Sequence, residues 1–175
     1  PAVFTDAALR LADLLDREDR DTGEAVLALE EVVERDPTNR KVLARLAKIQ
    51  RKNGAYQEAL QLVERLVASE DDPAVRGDLL VDQAEIAALG GKGDAACIEI
   101  LDRAFAEGAA SERALQKYVE VLGKSGRWEL LVRKMEDHLA RMGDEDPRTR
   151  GFVLAQLGDL SRERLREPVK AAERL

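Results

Sequence analysis

Lys41, Arg45, Lys48 and Lys52 stand 4, 3 and 4 positions apart, a spacing that stacks four cations on one face of a helix. Such a stripe can hold carboxylates, either those of an acidic partner or those of a neighbouring helix. Asp78, Asp82 and Glu85 follow Lys41, Arg45 and Lys48 at one constant offset of 37 (78−41, 82−45, 85−48). Set side by side, the two helices would form a ladder of ion pairs, each exposed rung contributing about 0.2–1 kcal/mol. The ladder is the favoured expectation. The competing one makes Lys41, Arg45, Lys48 and Lys52 a partner-binding surface.

Other reactive side chains offer less. His138 is the sole histidine and falls in an apolar stripe with Met135 and Leu139, which suits packing. A nucleophile needs a base and an orienting group within reach, and a metal site needs several ligands. Cys97 is also alone and occupies a small-residue position of a helix, where a thiol behaves as a compact apolar group. Gly90-Gly91-Lys92-Gly93 superficially resembles a phosphate loop. It lacks the preceding strand, the spacing between glycines and the Ser or Thr after Lys that such a loop requires, so it reads as a turn. Glu30, Glu31 and Glu34 read as the solvated face of an amphipathic helix. The expectation is a chain with no catalytic, cofactor-binding or metal-binding residue, and therefore not an enzyme.

The elements that position these side chains must be helices. Hydrophobic residues make up 45% of the 175 residues and aromatics only 3%, so small aliphatic side chains must fill the core, as suits thin helix-on-helix layers. The net charge of −7 disfavours a general nucleic-acid binder, which needs a basic face to replace phosphate counterions. No apolar stretch approaches the roughly 18 residues of a membrane span, and no signal peptide is visible. A lone cysteine leaves the compartment open, with the cytoplasm slightly favoured. The chain starts at Pro1 without a Met and stops at Leu175 inside a helical pattern, so we expect a fragment of a longer protein.

One period runs through the chain. Asp-Pro steps occur at Asp36-Pro37, Asp72-Pro73 and Asp146-Pro147, their prolines 73−37 = 36 and 147−73 = 74 residues apart. Gly54-Ala55-Tyr56 and Gly126-Arg127-Trp128 share a Gly-x-aromatic pattern, 126−54 = 72 residues apart. Ala25 and Ala59, each opening an apolar stripe, lie 34 apart (59−25). Periods of this size signal stacked repeats. Each period splits in two: Leu43, Leu46, Ala47 and Gln50 mark one helical face, Gly54 supplies a turn, and Ala59, Leu60, Val63, Leu66 and Val67 mark a second face. Asp72 can cap the next helix, with Pro73 in its first turn.

Leu43, Leu46, Ala47, Gly54, Tyr56, Ala59, Leu66 and the Asp-Pro punctuation resemble the tetratricopeptide repeat signature. Similar hairpins can be drawn through Ala8, Leu11, Ala12, Leu15, Ala25, Leu29 and Val32; then through Leu80, Ala84, Ala87, Cys97, Leu101, Ala104 and Phe105. Leu115, Tyr118, Val119, Leu122, Trp128, Leu131, Met135 and Leu139 give another, and Leu154, Leu157, Gly158 and Ala171 a partial one. The repeats fall at about 5–37, 38–73, 74–109 and 110–147, with a partial one at 148–175. The third lacks the turn aromatic, and the fourth has Leu131 where the small packing residue belongs, so HEAT or pentatricopeptide units stay open for parts of the chain.

The resemblance implies an all-α, right-handed solenoid of antiparallel hairpins whose first helices line a concave groove. It implies a scaffold for a protein or peptide partner, which the basic stripe would make an acidic one; no cofactor and no nucleic acid are expected. The family's carboxylate clamp is not expected, because Leu9 and Asp13 stand where it needs Lys and Asn. A regulatory or targeting arm of a larger enzyme or signalling protein is the alternative, and an RNA-binding repeat a more distant one. The Arg- and Ala-rich composition is similar to that of bacterial proteins.

Overall fold

The computed structural model describes residues 2–17, 22–107, 112–141 and 147–163. Among these residues it contains nine α-helices: α1 (Ala2–Arg17), α2 (Gly23–Arg35), α3 (Arg40–Lys52), α4 (Tyr56–Ala68), α5 (Pro73–Leu89), α6 (Gly93–Ala106), α7 (Glu112–Lys124), α8 (Trp128–Arg141) and α9 (Pro147–Glu163). They pair as the hairpins α1–α2, α3–α4, α5–α6 and α7–α8, with α9 packed on α8. Consecutive hairpins stack: α2 lies against α3, α4 against α5 and α6 against α7. First helices also meet directly where α1 touches α3, α5 touches α7 and α7 touches α9.

The apolar stripes explain the stacking. Leu43, Leu46, Ala47, Ala59, Leu60, Val63, Leu66 and Val67 are all buried, and neither helix of the hairpin could cover its stripe alone. The buried side chains form two clusters. One runs from Ala8 to Ala87 and adds Ala104; the other begins at Val81 and Ala84 and continues to Leu160. The division falls within α5, whose Leu80, Ile86 and Ala87 serve the first cluster while Val81 and Ala84 serve the second. Ala171 and Asp146 lie outside the described residues, whereas Pro147 opens α9.

Three hairpin turns repeat one backbone device. Gly54, Gly91 and Gly126 have φ of 78°, 78° and 66°, the left-handed region that a side chain disfavours. In each turn the residue after this glycine donates its N–H to a carbonyl five residues back: Ala55 to Gln50, Lys92 to Ala87 and Arg127 to Leu122, at 2.8, 2.9 and 2.9 Å. The glycine donates three residues back, to Arg51, Ala88 and Gly123, at 3.2, 3.1 and 3.1 Å. This is the Schellman closure that satisfies otherwise orphaned helix carbonyls. Gly90-Gly91-Lys92-Gly93 is thus a helix-ending turn. In the two turns that carry an aromatic after the Gly-x pair, the aromatic covers a glycine, because an added Cβ on Gly123 would meet the Trp128 ring at 3.0 Å and one on Gly90 would meet Tyr56 Cβ at 3.1 Å.

Helix starts are more varied. Asp72 caps α5, its Oδ1 accepting from the N–H groups of Ala74 and Val75 at 2.9 and 3.3 Å, with Pro73 in the first turn. Asp36 instead ends α2, and its carboxylate accepts from Thr38 N–H at 3.3 Å and Asn39 Nδ2 at 3.1 Å. Asn39 is the cap of α3, accepting from Val42 N–H at 3.3 Å. The two Asp-Pro steps therefore occupy opposite ends of their loops.

A clasp also recurs where the open ends of the first three hairpins meet. Arg40 at the start of α3 pairs with Glu70 just beyond α4. Arg76, which is 36 residues on (76−40), pairs with Glu107 beyond α6 at 2.7 Å. In the first hairpin, Phe4 stands 36 residues before Arg40 (40−4) and lies under the guanidinium of Arg35, 5.2 Å from ring centroid to Cζ. A cation joins the hairpin ends in all three, although its partner changes from a ring to a carboxylate.

Candidate partner-binding face

α3 presents its polar side next to α1, and this decides where the basic stripe goes. Arg45 is largely covered, with 13% of its side chain exposed. It reaches Asp13 and Asp16 of α1, each at 3.1 Å, and donates to the Ala12 carbonyl at 2.8 Å. Lys52 meets Asp16 at 3.1 Å, while Lys48 comes only within 3.8 Å of the same carboxylate and keeps 71% of its side chain exposed. Lys41 is exposed and makes no ion pair among the described residues. It borders a cavity of about 480 Å³ whose walls include Phe4, Leu9, Val32, Arg35 and Asn39.

The ladder exists, but its rungs differ from those expected. Arg45 and Lys48 turn back to α1 and do not meet Asp82 and Glu85. Glu85 takes Arg51 of α3 at 2.9 Å and Arg113 of α7 at 3.4 Å, and Asp82 takes Arg113 at 2.7 Å. The reason is proximity: α1 packs directly on α3, and its acids reach the stripe first. Asp16, Arg51 and Arg113 were not singled out in the sequence, and Asp13 was noted only as a departure from the carboxylate clamp. Their signal was the alternating sign of successive first helices, acidic at Asp13 and Asp16, basic at Lys41 to Lys52, acidic at Asp78 to Glu85, and basic again at Arg113, Lys117 and Lys124. The hydrogen bond from Lys52, joined by Arg45, holds the Asp16 carboxyl below its ordinary pKa. Lys124 and then Lys117 do the same for Glu120 on α7.

Between α3 and α5 the face opens. Ala44 and Ala47 form one wall of a cleft of about 340 Å³, Leu79 and Ile86 the other, and Val63 and Leu66 of α4 the floor. Lys48, Arg51 and Asp82 stand at its rim. That volume lies at the lower end of the roughly 300–1,000 Å³ typical of ligand clefts.

The remaining reactive side chains sit in the packing. Cys97 is fully buried, its thiol donating to the Ala84 carbonyl at 3.2 Å, and burial pushes its pKa up. His138 packs edge-on against Phe105 with ring centroids 4.9 Å apart, and its Nε2 is buried without a hydrogen-bond partner among the described residues. Burial, and then the charge of Arg141, lower its pKa. Tyr118 donates to Asp102, which also receives Lys134 at 2.8 Å. Burial, followed by Asp102, raises the phenol's pKa well above its ordinary value. Glu30, Glu31 and Glu34 are exposed, as expected. Among the described residues no group of three or more His, Cys, Asp or Glu could hold a metal, and no helix is long and apolar enough to cross a membrane.

Residues 16–80 match the family model described as tetratricopeptide repeat. Among solved structures, the chain is similar to the MamA protein at a TM-score of 0.62 and 18% identity, covering 99% of this chain and 89% of that one. A kinesin light chain-type protein of Podosopora anserina with nearly identical tetratricopeptide-like repeats matches at a TM-score of 0.55 and 20% identity, covering 97% and 92%. The C-terminal part of a repeat-containing protein from Cytophaga hutchinsonii matches at a TM-score of 0.52 and 17% identity, covering 94% and 61%. No curated protein matches the chain. At these identities the likeness shows the fold, a right-handed helical-repeat solenoid.

Proposed function

We propose, from the premise that residues 16–80 belong to the tetratricopeptide repeat family and that the described chain carries its fold throughout, that this protein is a non-catalytic scaffold holding a partner protein or peptide. The proposed contact surface is the face made by the first helices α1, α3, α5 and α7, with repeats at about 5–37, 38–73, 74–109, 110–147 and a partial one at 148–175.

The observation that carries this reading is uneven neutralisation of that face. Arg45, Arg51 and Arg113 are committed to carboxylates of neighbouring helices. Lys41 and Lys48 stay exposed on the same side, one without an ion pair among the described residues and the other held only at 3.8 Å. We assign partner contact to Lys41 and Lys48, with Lys52 beside them, and a positioning role to Arg45. Charges left over on a self-paired surface favour a partner with acidic residues and make its association sensitive to salt.

The test is affinity capture from source lysate, read by mass spectrometry, comparing wild type with a Lys41→Glu/Lys48→Glu variant. Arg45 is left untouched so that the α1–α3 rung survives. The expected outcome is a specific protein retained by the wild type and lost by the variant at equal melting temperature. An identical set of captured proteins from both would move the contact surface elsewhere.

A further inference from the structure

We propose that the cleft between α3 and α5 receives one large apolar side chain of the bound segment, with an acidic residue beside it that pairs with Lys48. This rests on the scaffold reading above and names the chemistry of the partner.

The walls account for the apolar half. Ala44, Ala47, Leu79, Ile86, Val63 and Leu66 are the lining side chains other than the rim charges, and water held there would find few polar partners. The space exists because the α3 wall is alanine. In the next pair of first helices the residues 37 positions on are Val81 and Ala84 (81−44, 84−47). Both are fully buried among the side chains around Leu115 and Tyr118, where α5 packs directly on α7. The α3–α5 junction has kept a hollow where the α5–α7 junction is filled.

The rim accounts for the acidic half. Arg51 is held by Glu85 at 2.9 Å and Asp82 by Arg113 at 2.7 Å. Lys48 lacks a close partner, since Asp16 at 3.8 Å is already engaged by Arg45 and Lys52, each at 3.1 Å. An approaching carboxylate therefore meets a cation that does not have to leave a good partner. On the opposite rim Asp82 would repel it, which fixes the order of the two groups: the acid lies on the α1 side of the apolar anchor.

The experiment is panning of a randomised 12-residue phage-displayed peptide library on the intact chain. Enriched peptides are then measured by fluorescence anisotropy against wild type, Ala44→Leu and Lys48→Glu. Ala44 is exposed, so its replacement by Leu should fill the cleft without unfolding the protein, and thermal melts check this. Methyl NMR of Leu79 and Ile86 in the wild type gives a readout that needs no variant. The expected result is a consensus pairing a large apolar residue with Asp or Glu, about tenfold or more weaker binding to Ala44→Leu, weaker binding to Lys48→Glu, and shifted Leu79 and Ile86 methyl signals. Peptides that bind Ala44→Leu as tightly as wild type and leave those methyls unmoved would overturn the cleft while the scaffold reading stands. A library that yields no binder also overturns the cleft, and the scaffold reading is then decided separately by the lysate capture.

Discussion

α3 and α5 occupy the same place in successive hairpins yet are built differently. α3 is two-faced: Val42, Leu43, Leu46, Ala47, Ile49 and Gln50 are buried along one side while Lys41, Ala44 and Lys48 are exposed. α5 spreads its buried residues round more of its circumference, with Gly77, Leu80, Val81, Gln83, Ala84, Ile86 and Ala87 all buried. The difference follows from position, because α5 lies where the two apolar clusters meet and, with α6, serves both. A helix inside one core can keep a working surface. A helix shared by two cores has little surface left to use, and its residues answer to packing on both sides.

The contrast can be broken most directly at Leu80, a first-cluster residue on the helix whose Val81 and Ala84 belong to the second. Replacing it with Ala should cost about 2–5 kcal/mol and move the transitions of both halves together. Denaturation followed by far-UV circular dichroism and by the single tryptophan, Trp128 of α8, measures this. Leu29→Ala, on α2, whose buried Ala25, Leu29 and Val32 all belong to the first cluster, should shift the dichroism more than the Trp128 signal. If Leu80→Ala also leaves Trp128 unmoved, the shared-helix view is wrong.

Overpacking gives a smaller contrast. Ala84→Leu should lose about 1–3 kcal/mol, because Ala84 is fully buried and its carbonyl accepts the Cys97 thiol. Ala44→Leu, facing the open cleft, should stay within about 0.5 kcal/mol of wild type. Equal losses in urea titrations would mean that the α3–α5 hollow is not available space.

Charge effects should be smaller again. Asp16→Asn removes the carboxylate that gathers Arg45, Lys48 and Lys52 and should lower the melting temperature slightly, less than the overpacking variant; Lys41→Ala should leave it unchanged. Because the folded pKa of Asp16 is lowered, its contribution is full above the ordinary carboxylate pKa of 3.8 and is lost as pH falls through the folded value. His138 acts in a higher window. Its folded pKa is also lowered, so the unfolded chain takes up the proton first and stability declines as pH drops below about 6.5. His138→Gln should flatten the stability profile between pH 7 and pH 5, and a profile that keeps its slope would assign it to other groups.

Much of the fold was legible because apolar spacing records which side of a helix is covered. Leu43, Leu46, Ala47 and Gln50 are buried as their spacing implied, as are Cys97, Leu101, Ala104 and Phe105. The turn at Gly90-Gly91-Lys92-Gly93 was legible from the failure of its phosphate-loop pattern. The partners of the basic stripe were not. Arg45 has acids on both neighbouring first helices within one repeat length, and sequence offset does not say which helix lies closer. The cleft was invisible for a related reason: Ala44 and Ala47 look like ordinary helix formers until the opposite wall is in place. The Arg40–Glu70 and Arg76–Glu107 clasps fit the period but join positions about 30 residues apart, which no local pattern highlights.

The alternation of sign along the first helices carries a further consequence for how such an array can change length. Deleting α3–α4 alone would bring the acids of α1 against those of α5, like against like, along every rung. Removing or duplicating two neighbouring hairpins at once keeps acid facing base. The interchangeable unit is therefore a double hairpin, so this array has a parity. The Gly54 and Gly126 turn signatures, 72 residues apart (126−54), recur with that same doubled period.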